Sequence, residues 1–214
     1  MRTYLDCYPC VLRQSIEAAR MAGMSPEKQQ FVVAHTLAIL KNMPPGVTPP
    51  EIASLVHQKV REVTGANDPY QAVKRSATNT ALKMLPKLRS LLADSDDPFE
   101  TALRLSIEST IIDFGPNKSY DLWEEVQKVL EQDFAIDDSP TLQHRLKSVD
   151  SVLYLGDNAG ETVFDLLLIE AIAKPVTYVV RGGPVLNDVT FEDALAGGID
   201  KVAAVIDNGS RIPG

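Results

Sequence analysis

Residues 152–161 read Val-Leu-Tyr-Leu-Gly-Asp-Asn-Ala-Gly-Glu, and an apolar segment that reaches Ala173 follows them. An apolar run that stops at a glycine predicts a strand and a tight turn, and the segment after it predicts a helix over 162–173. Ligands of open α/β sheets bind at the turns that follow the carboxyl ends of strands. The oxygen-bearing side chains of this turn, Asp157, Asn158 and Glu161, suit a hard divalent cation.

The same alternation of strand and helix continues to the end of the chain. Two further apolar runs predict strands over 176–180 and 202–206, and a helix is predicted over 191–196 between them. Strands that alternate with helices predict right-handed βαβ units and a mainly parallel sheet. The fold class predicted for this part is therefore α/β.

Residues 1–148 instead have a helical pattern throughout. Five helix starts are indicated by a capping residue before a proline: Ser25-Pro26, Thr48-Pro49, Asp68-Pro69, Asp97-Pro98 and Ser139-Pro140. Glu51 and Glu100 lie three residues after Thr48 and Asp97, which is the spacing of a capping box or its aspartate analogue. Helices are also predicted over 10–22 and 120–132.

These patterns predict an all-helical domain over 1–148 and the start of an α/β domain over 149–214. Three strands make a small sheet compared with the average of about five or six. We therefore expect the α/β domain to be incomplete, either because the chain is truncated after Gly214 or because another polypeptide completes the sheet.

The composition excludes some classes of function. The net charge of the 214 residues is −8, and Ser151 onward holds nine Asp and Glu against four Lys and Arg. Nucleic-acid binding needs a basic surface, which this balance does not provide. No apolar run is long enough to span a membrane and no signal peptide begins the chain, so we expect a cytoplasmic location without membrane association. Assembly into a homo-oligomer is left open.

The only two cysteines, Cys7 and Cys10, form a single Cys-Tyr-Pro-Cys pair. A structural zinc site needs four ligands, and no second cysteine pair or histidine cluster completes one. The pair lies at a predicted helix start, and it either packs there or has a redox or metal-binding role.

A second polar turn follows the second predicted strand, where Arg181 precedes Asn187 and Asp188. Because the carboxyl ends of parallel strands meet at one sheet edge, we expect this turn near Asp157 and Asn158, which gives oxygen ligands for Mg²⁺ or a similar ion. Arg181 is suited to an anionic oxygen such as that of a phosphate. Alternatively, these side chains bond the local backbone, with Asp188 as a helix N-cap.

Several common catalytic motifs are absent from the chain. It contains no Gly-x-Gly-x-x-Gly, no phosphate loop of the Gly-x-x-x-x-Gly-Lys-Ser/Thr type and no Gly-x-Ser-x-Gly. Asp157 is not followed by a second aspartate two residues later, as a covalent aspartyl-phosphate mechanism of the haloacid-dehalogenase type would require.

The chain resembles the metal-dependent damage-control phosphatases, formerly domain of unknown function family 89. The resemblance covers nearly the whole chain and includes the turns around Asp157 and Asp188. It also includes Asp68-Pro69-Tyr70 with Lys74 and Asn79, and Ile112-Asp113-Phe114-Gly115. The early Asp6-Cys7-Tyr8-Pro9-Cys10 is similar to that of a cysteine-pair (CxxC) subgroup found in archaea and some bacteria.

This resemblance implies a helical N-terminal domain packed on a three-layer α/β/α sandwich. It also implies metal-dependent hydrolysis of small phosphorylated metabolites such as sugar phosphates, with Mg²⁺, Mn²⁺, Co²⁺ or Ni²⁺ as the cofactor. The metal ligands, and with them the catalytic centre, would be Asp157, Asn158 and Asp188. Asp113 and Glu161 would be further catalytic residues, and Arg181, Asn187 and Lys74 would bind substrate. A non-catalytic module that binds a metal or a metabolite is the alternative.

Overall fold

The computed structural model of the chain describes residues 3–44, 46–109, 122–132 and 134–212. Seven α-helices precede the first strand within these residues: α1 (Cys7–Met21), α2 (Pro26–Lys41), α3 (Pro49–Thr64), α4 (Gln71–Ala93), α5 (Pro98–Glu108), α6 (Leu122–Glu131) and α7 (Ser139–Leu146). They are followed by β1 (Val152–Leu155), α8 (Thr162–Ile172), β2 (Val176–Val180), α9 (Phe191–Gly197) and β3 (Ala204–Asp207). Short 3₁₀ turns precede α8 and β3.

Three of the five helix starts predicted from capping residues are confirmed, whereas α4 begins at Gln71, two residues after Pro69. Helices α2, α3 and α5 begin at the proline after the predicted cap. The Thr48 N–H donates to Glu51 at 2.7 Å, and the Asp97 carboxylate accepts from the Glu100 N–H at 3.0 Å. Helix α7 begins one residue earlier than predicted, at Ser139, because its N-cap is Asp138.

Helix α1 begins at Cys7, three residues before the predicted start. Pro9 is tolerated there because the first-turn N–H groups of a helix have no acceptor within the helix. Helix α3 ends before Gly65, whose φ of 71° is the left-handed conformation that glycine adopts easily.

The contacts divide the chain into two compact units. The first contains the residues up to Ala72, together with Arg181–Asp188 and the residues from Gly209 onward. Its apolar side chains form two clusters among α1, α2 and α3, one around Val32 and Val60 and the other around Ile52 and Val56.

The second unit contains Val73–Val180 and Val189–Asn208, and its three strands form one parallel sheet in the order β1-β2-β3. This confirms the α/β class and the parallel sheet. Strand β3 begins two residues later than predicted, because the N–H groups of Val202 and Ala203 bond Ile199 in the preceding 3₁₀ turn. The helical pattern before Val152 is also confirmed for the residues that the structure describes, while the domain boundary near residue 148 stays a prediction.

One face of the sheet is covered by helices α5 and α8. Residues 162–169 of α8 are all buried, as expected for a helix that is apolar on every side. They pack with Val176, Tyr178 and Val180 of β2 in the main core of this unit. The opposite face carries Leu153, Leu155 and Ile206, which are 65%, 70% and 47% exposed, so within the described residues no helix covers it.

Candidate functional site

The turn after β1 needs the glycine with which it begins. A Cβ at Gly156 would lie 2.4 Å from the ring of Tyr178, so a larger residue does not fit without displacing the ring. The Gly156 N–H also continues the sheet with a 3.0 Å hydrogen bond to the Val179 carbonyl. The backbone of the turn is thereby fixed against β2, and Asp157 follows directly after this anchored point.

Three of the predicted side chains come together in this turn. The Asn158 amide donates to Asp157 Oδ2 at 3.1 Å and to Glu161 Oε1 at 2.7 Å. The amide nitrogen thus bridges two carboxylates, which leaves its own carbonyl oxygen as an acceptor. The interpretation of Asp157, Asn158 and Glu161 as one polar group in the second unit is therefore supported by their geometry.

Glu161 lies in the short 3₁₀ turn that leads into α8, and it is buried. Burial raises the pKa of its carboxyl to about 7, and the negative charges of Asp165 and Asp157 act in the same direction, against the hydrogen bond from Asn158. A carboxyl of this kind gains or loses a proton near neutral pH, which suits proton transfer.

Asp165, on the first turn of α8, was not singled out by sequence reasoning. Its buried carboxylate accepts hydrogen bonds from Tyr154 at 2.6 Å, Tyr178 at 2.7 Å and Ser106 at 3.0 Å. Burial raises the pKa of this carboxyl, and the three hydroxyl donors act against that rise. The rings of Tyr154 and Tyr178 stack at 5.3 Å, so the network also holds the ring that packs against Gly156.

The second predicted turn belongs to the first unit. The Arg181 Nε donates to Asp188 Oδ2 at 2.9 Å, and both side chains are largely buried. Between them, Leu186 has a φ of 48°, a conformation that costs a non-glycine residue about 1 kcal/mol or more and is common at functional turns. Leu186 packs in the cluster around Val32 and Val60, which holds the turn in place.

Asp188 does not cap the following helix, so that alternative is wrong. The N-cap of α9 is Thr190, whose N–H and hydroxyl both donate to Asp193, at 3.0 and 2.6 Å. The cap is thus formed two residues further along, and the Asp188 carboxylate instead accepts from Arg181.

Lys74 is buried on α4, and its ammonium group lies 2.8 Å from Asp193 Oδ2. The same carboxylate therefore caps α9 and balances the charge of a buried lysine. This ion pair gives Lys74 a structural role, and its contact with substrate stays a prediction.

The remaining residues predicted for the site or for the cysteine pair are Asn187, Asp113, Cys7 and Cys10. Asn187 is exposed in the second turn, and Asp113 lies outside the described residues. Cys7 and Cys10 are free thiols at the start of α1, each partly buried. The Gln14 Nε2 donates to the Cys10 sulfur at 3.8 Å, and a redox or metal-binding role for the pair stays a prediction.

The donor set of the first turn fits a hard cation. Among the described residues, no three His, Cys, Asp or Glu side chains are grouped so as to hold a metal. A site built from one carboxylate and an amide oxygen instead suits an ion such as Mg²⁺, which keeps several waters. Burial is the main reason that the pKa of Glu161 is raised, and the charges of Asp165 and Asp157 add to it; a cation beside these carboxylates would act against that rise.

The fold and the turns define an α/β protein with acidic and amide side chains at the carboxyl end of a parallel strand. The sequence profile of the damage-control phosphatase ARMT1-like domain matches residues 3–214. The chain therefore belongs to this family of damage-control phosphatases, as its motifs predicted.

Individual relatives agree with this assignment. The chain is 33% identical to a damage-control phosphatase of Archaeoglobus fulgidus, covering 92% of this chain and 70% of the relative. It is 34% identical to an uncharacterized protein of Methanocaldococcus jannaschii, covering 98% and 72%. The crystal structure of a DUF89 family protein from Pyrococcus horikoshii matches with a TM-score of 0.90 at 30% identity, covering all of this chain and 76% of that one.

Proposed function

We propose that this chain is a metal-dependent phosphomonoesterase that acts on small phosphorylated metabolites, of which sugar phosphates are the first candidates. The observation that carries the proposal is the group formed by Asp157, Asn158 and Glu161 in the turn after β1. Two relatives that are 32% and 33% identical to this chain are also named damage-control phosphatases.

The proposed metal ligands are Asp157, Asn158 and Asp188. Asp188 is included because the turn that contains it is part of the resemblance to the damage-control phosphatases. The cation, Mg²⁺, Mn²⁺, Co²⁺ or Ni²⁺, would polarise the phosphoryl oxygens and lower the pKa of a bound water.

The side chains around these ligands have separate proposed roles. Arg181 would bind phosphoryl oxygens, because its guanidinium offers paired donors and is already oriented by Asp188. Glu161, with a pKa of about 7, would exchange a proton with the attacking water or the leaving alcohol. In the overall reaction, water adds to phosphorus, the ester P–O bond breaks, and the alcohol leaves with a proton.

Substitution of Asp157 tests this proposal. We expect Asp157→Ala to lower phosphate release from a hexose phosphate by at least about a hundredfold, since several kcal/mol of transition-state stabilisation depend on the cation. Asp150→Ala, at an exposed position just before β1, is the matched control and should retain full activity. Wild-type protein that binds Mn²⁺ but releases no phosphate from any ester would favour the non-catalytic module instead.

A further inference from the structure

Two arginines from distant parts of the sequence meet at the Gly183–Pro184 segment of the first unit. Arg61 of α3 donates from Nη1 to the Pro184 carbonyl at 2.8 Å. A Cβ at Gly183 would lie 3.0 Å from Cγ of Arg211, so the Arg211 side chain lies directly over this glycine. The Gly182 N–H donates to the Ser210 carbonyl at 2.8 Å, which fixes the backbone that carries Arg211 beside the segment.

Neither guanidinium is neutralised by a carboxylate contact within the part of the chain that the structure describes. The Pro184 carbonyl accepts the one hydrogen bond that Arg61 makes there, and the Arg211 guanidinium makes none. Burial, and then the positive charge of Arg211, lower the pKa of Arg61, while the negative charges of Asp68 and Glu62 act against this. In a chain of net charge −8, two arginines placed together indicate a site for an anion.

His57, one helical turn before Arg61 on α3, adds no charge to this pair. It is buried, and its Nε2 has no hydrogen-bond partner among the described residues. Burial and the positive charge of Arg61 lower its pKa to about 4, so the imidazole is neutral near pH 7. The positive charge beside the Gly183–Pro184 segment therefore comes from Arg61 and Arg211.

The segment that the arginines flank leads directly to the second polar turn. Arg181 and Asp188, which we assign to the reacting phosphoryl group and its metal, precede and follow this segment in the chain and pair with each other. Arg61 and Arg211 are separate from that pair, and their unused N–H groups match the oxygens of a phosphate or a carboxylate.

We propose that Arg61 and Arg211 form a second anion subsite, which selects substrates that carry a phosphate or carboxylate in addition to the phosphoryl group that is hydrolysed. The effect on catalysis rests on the proposed phosphatase function, whereas the binding of an anion by the two arginines does not. The substrate class is therefore bis-anionic, such as a hexose bisphosphate or a phosphorylated sugar acid.

The test compares three substrates, a hexose monophosphate, a hexose bisphosphate and a phosphorylated sugar acid, in wild-type protein and in Arg211→Gln. Arg211 is exposed, so this variant keeps the fold, and Arg13→Gln on α1 is the matched exposed control in the same unit. Loss of a hydrogen bond to a charged group weakens binding roughly 10- to 100-fold. We expect that loss in kcat/KM for a bis-anionic substrate, mainly through KM, and less than about a twofold change for the monophosphate.

The two bis-anionic substrates identify the second group. A loss confined to the bisphosphate assigns the subsite to phosphate, and a loss confined to the sugar acid assigns it to carboxylate. Arg61→Lys should show an intermediate loss, because lysine keeps the charge but not the paired donors. Equal losses for all three substrates, or no loss for any, would overturn the proposal.

Calorimetric binding of the hexose bisphosphate separates this proposal from the proposed function. If the wild type hydrolyses nothing but Arg211→Gln still binds the bisphosphate about tenfold more weakly than Arg13→Gln does, the phosphatase proposal fails and the anion subsite stands. If wild type and Arg211→Gln bind it equally, the subsite is wrong whether or not the protein is a phosphatase.

Discussion

At the scale of single residues, the least expected feature is a buried carboxylate held by three hydroxyl groups. The donors to Asp165 come from α5, β1 and β2, so their meeting depends on how the sheet packs on α8. Sequence reasoning identifies Asp157, Asn158 and Glu161 because they follow one another in a single turn. It does not identify Asp165 or the pairing of Arg61 with the Gly183–Pro184 segment, because no local pattern records contacts between distant positions.

The hydroxyl of Tyr178 should matter for stability. We expect Tyr178→Phe to lower the free energy of unfolding by about 1–3 kcal/mol, because a buried carboxylate loses a donor that water does not replace. Tyr4→Phe is the matched control, since Tyr4 is 67% exposed, and it should change stability by less than about 0.5 kcal/mol. Urea denaturation measures the free energy of unfolding of both variants. Equal changes in the two would show that the hydrogen bond from Tyr178 to Asp165 does not stabilise the fold.

The buried Glu161 should make stability depend on pH in the metal-free protein. Its pKa of about 7 lies above the value of an unfolded chain, so the folded state holds the proton more tightly. The contribution of Glu161 to the free energy of unfolding is therefore complete below about pH 4.5 and is lost as the pH rises to about 7.

Glu161→Gln removes this dependence because an amide does not ionise. Relative to wild type, the variant should gain about 1–3 kcal/mol between pH 5 and 8, an estimate reduced for residual solvent screening. Denaturation in the presence of a chelator at pH 5, 6, 7 and 8 measures the gain, with the exposed Glu192→Gln as control. A constant difference from wild type over that range would contradict the assignment.

At the scale of elements, the sequence predicts most of the boundaries and the sheet. Proline after a capping residue marks three helix starts correctly, because the cap and the fixed φ of proline act within a few residues. The β3 boundary is missed by two residues, since Val202 and Ala203 have strand-like side chains but bond Ile199 in a 3₁₀ turn. Backbone hydrogen bonding overrides side-chain preference there.

The two faces of the sheet should respond differently to the same polar substitution. Val180 is 1% exposed on the helix-covered face, and Leu155 is 70% exposed on the other. Val180→Thr should cost about 1–3 kcal/mol because it buries a hydroxyl group, whereas Leu155→Thr should cost less than about 0.5 kcal/mol. Thermal or urea unfolding compares the pair. A large cost at Leu155 would mean that this face is covered in solution.

At the scale of the whole molecule, the chain combines an acidic balance with two compact units. No helix among the described residues is long and apolar enough to cross a membrane. The cytoplasmic location, the absence of nucleic-acid binding and the oligomeric state stay predictions from composition and sequence. The family assignment is stronger, because the profile match and the TM-score of 0.90 both extend over essentially the whole chain.

The dependence of phosphate release on a divalent cation tests the central claim most directly. Purified chain is treated with a chelator, dialysed, and assayed with a hexose phosphate before and after titration with Mg²⁺, Mn²⁺, Co²⁺ or Ni²⁺. We predict that chelation lowers the rate at least about a hundredfold and that at least one of the four ions restores it. Phosphate release that continues unchanged in the chelated protein would contradict the account.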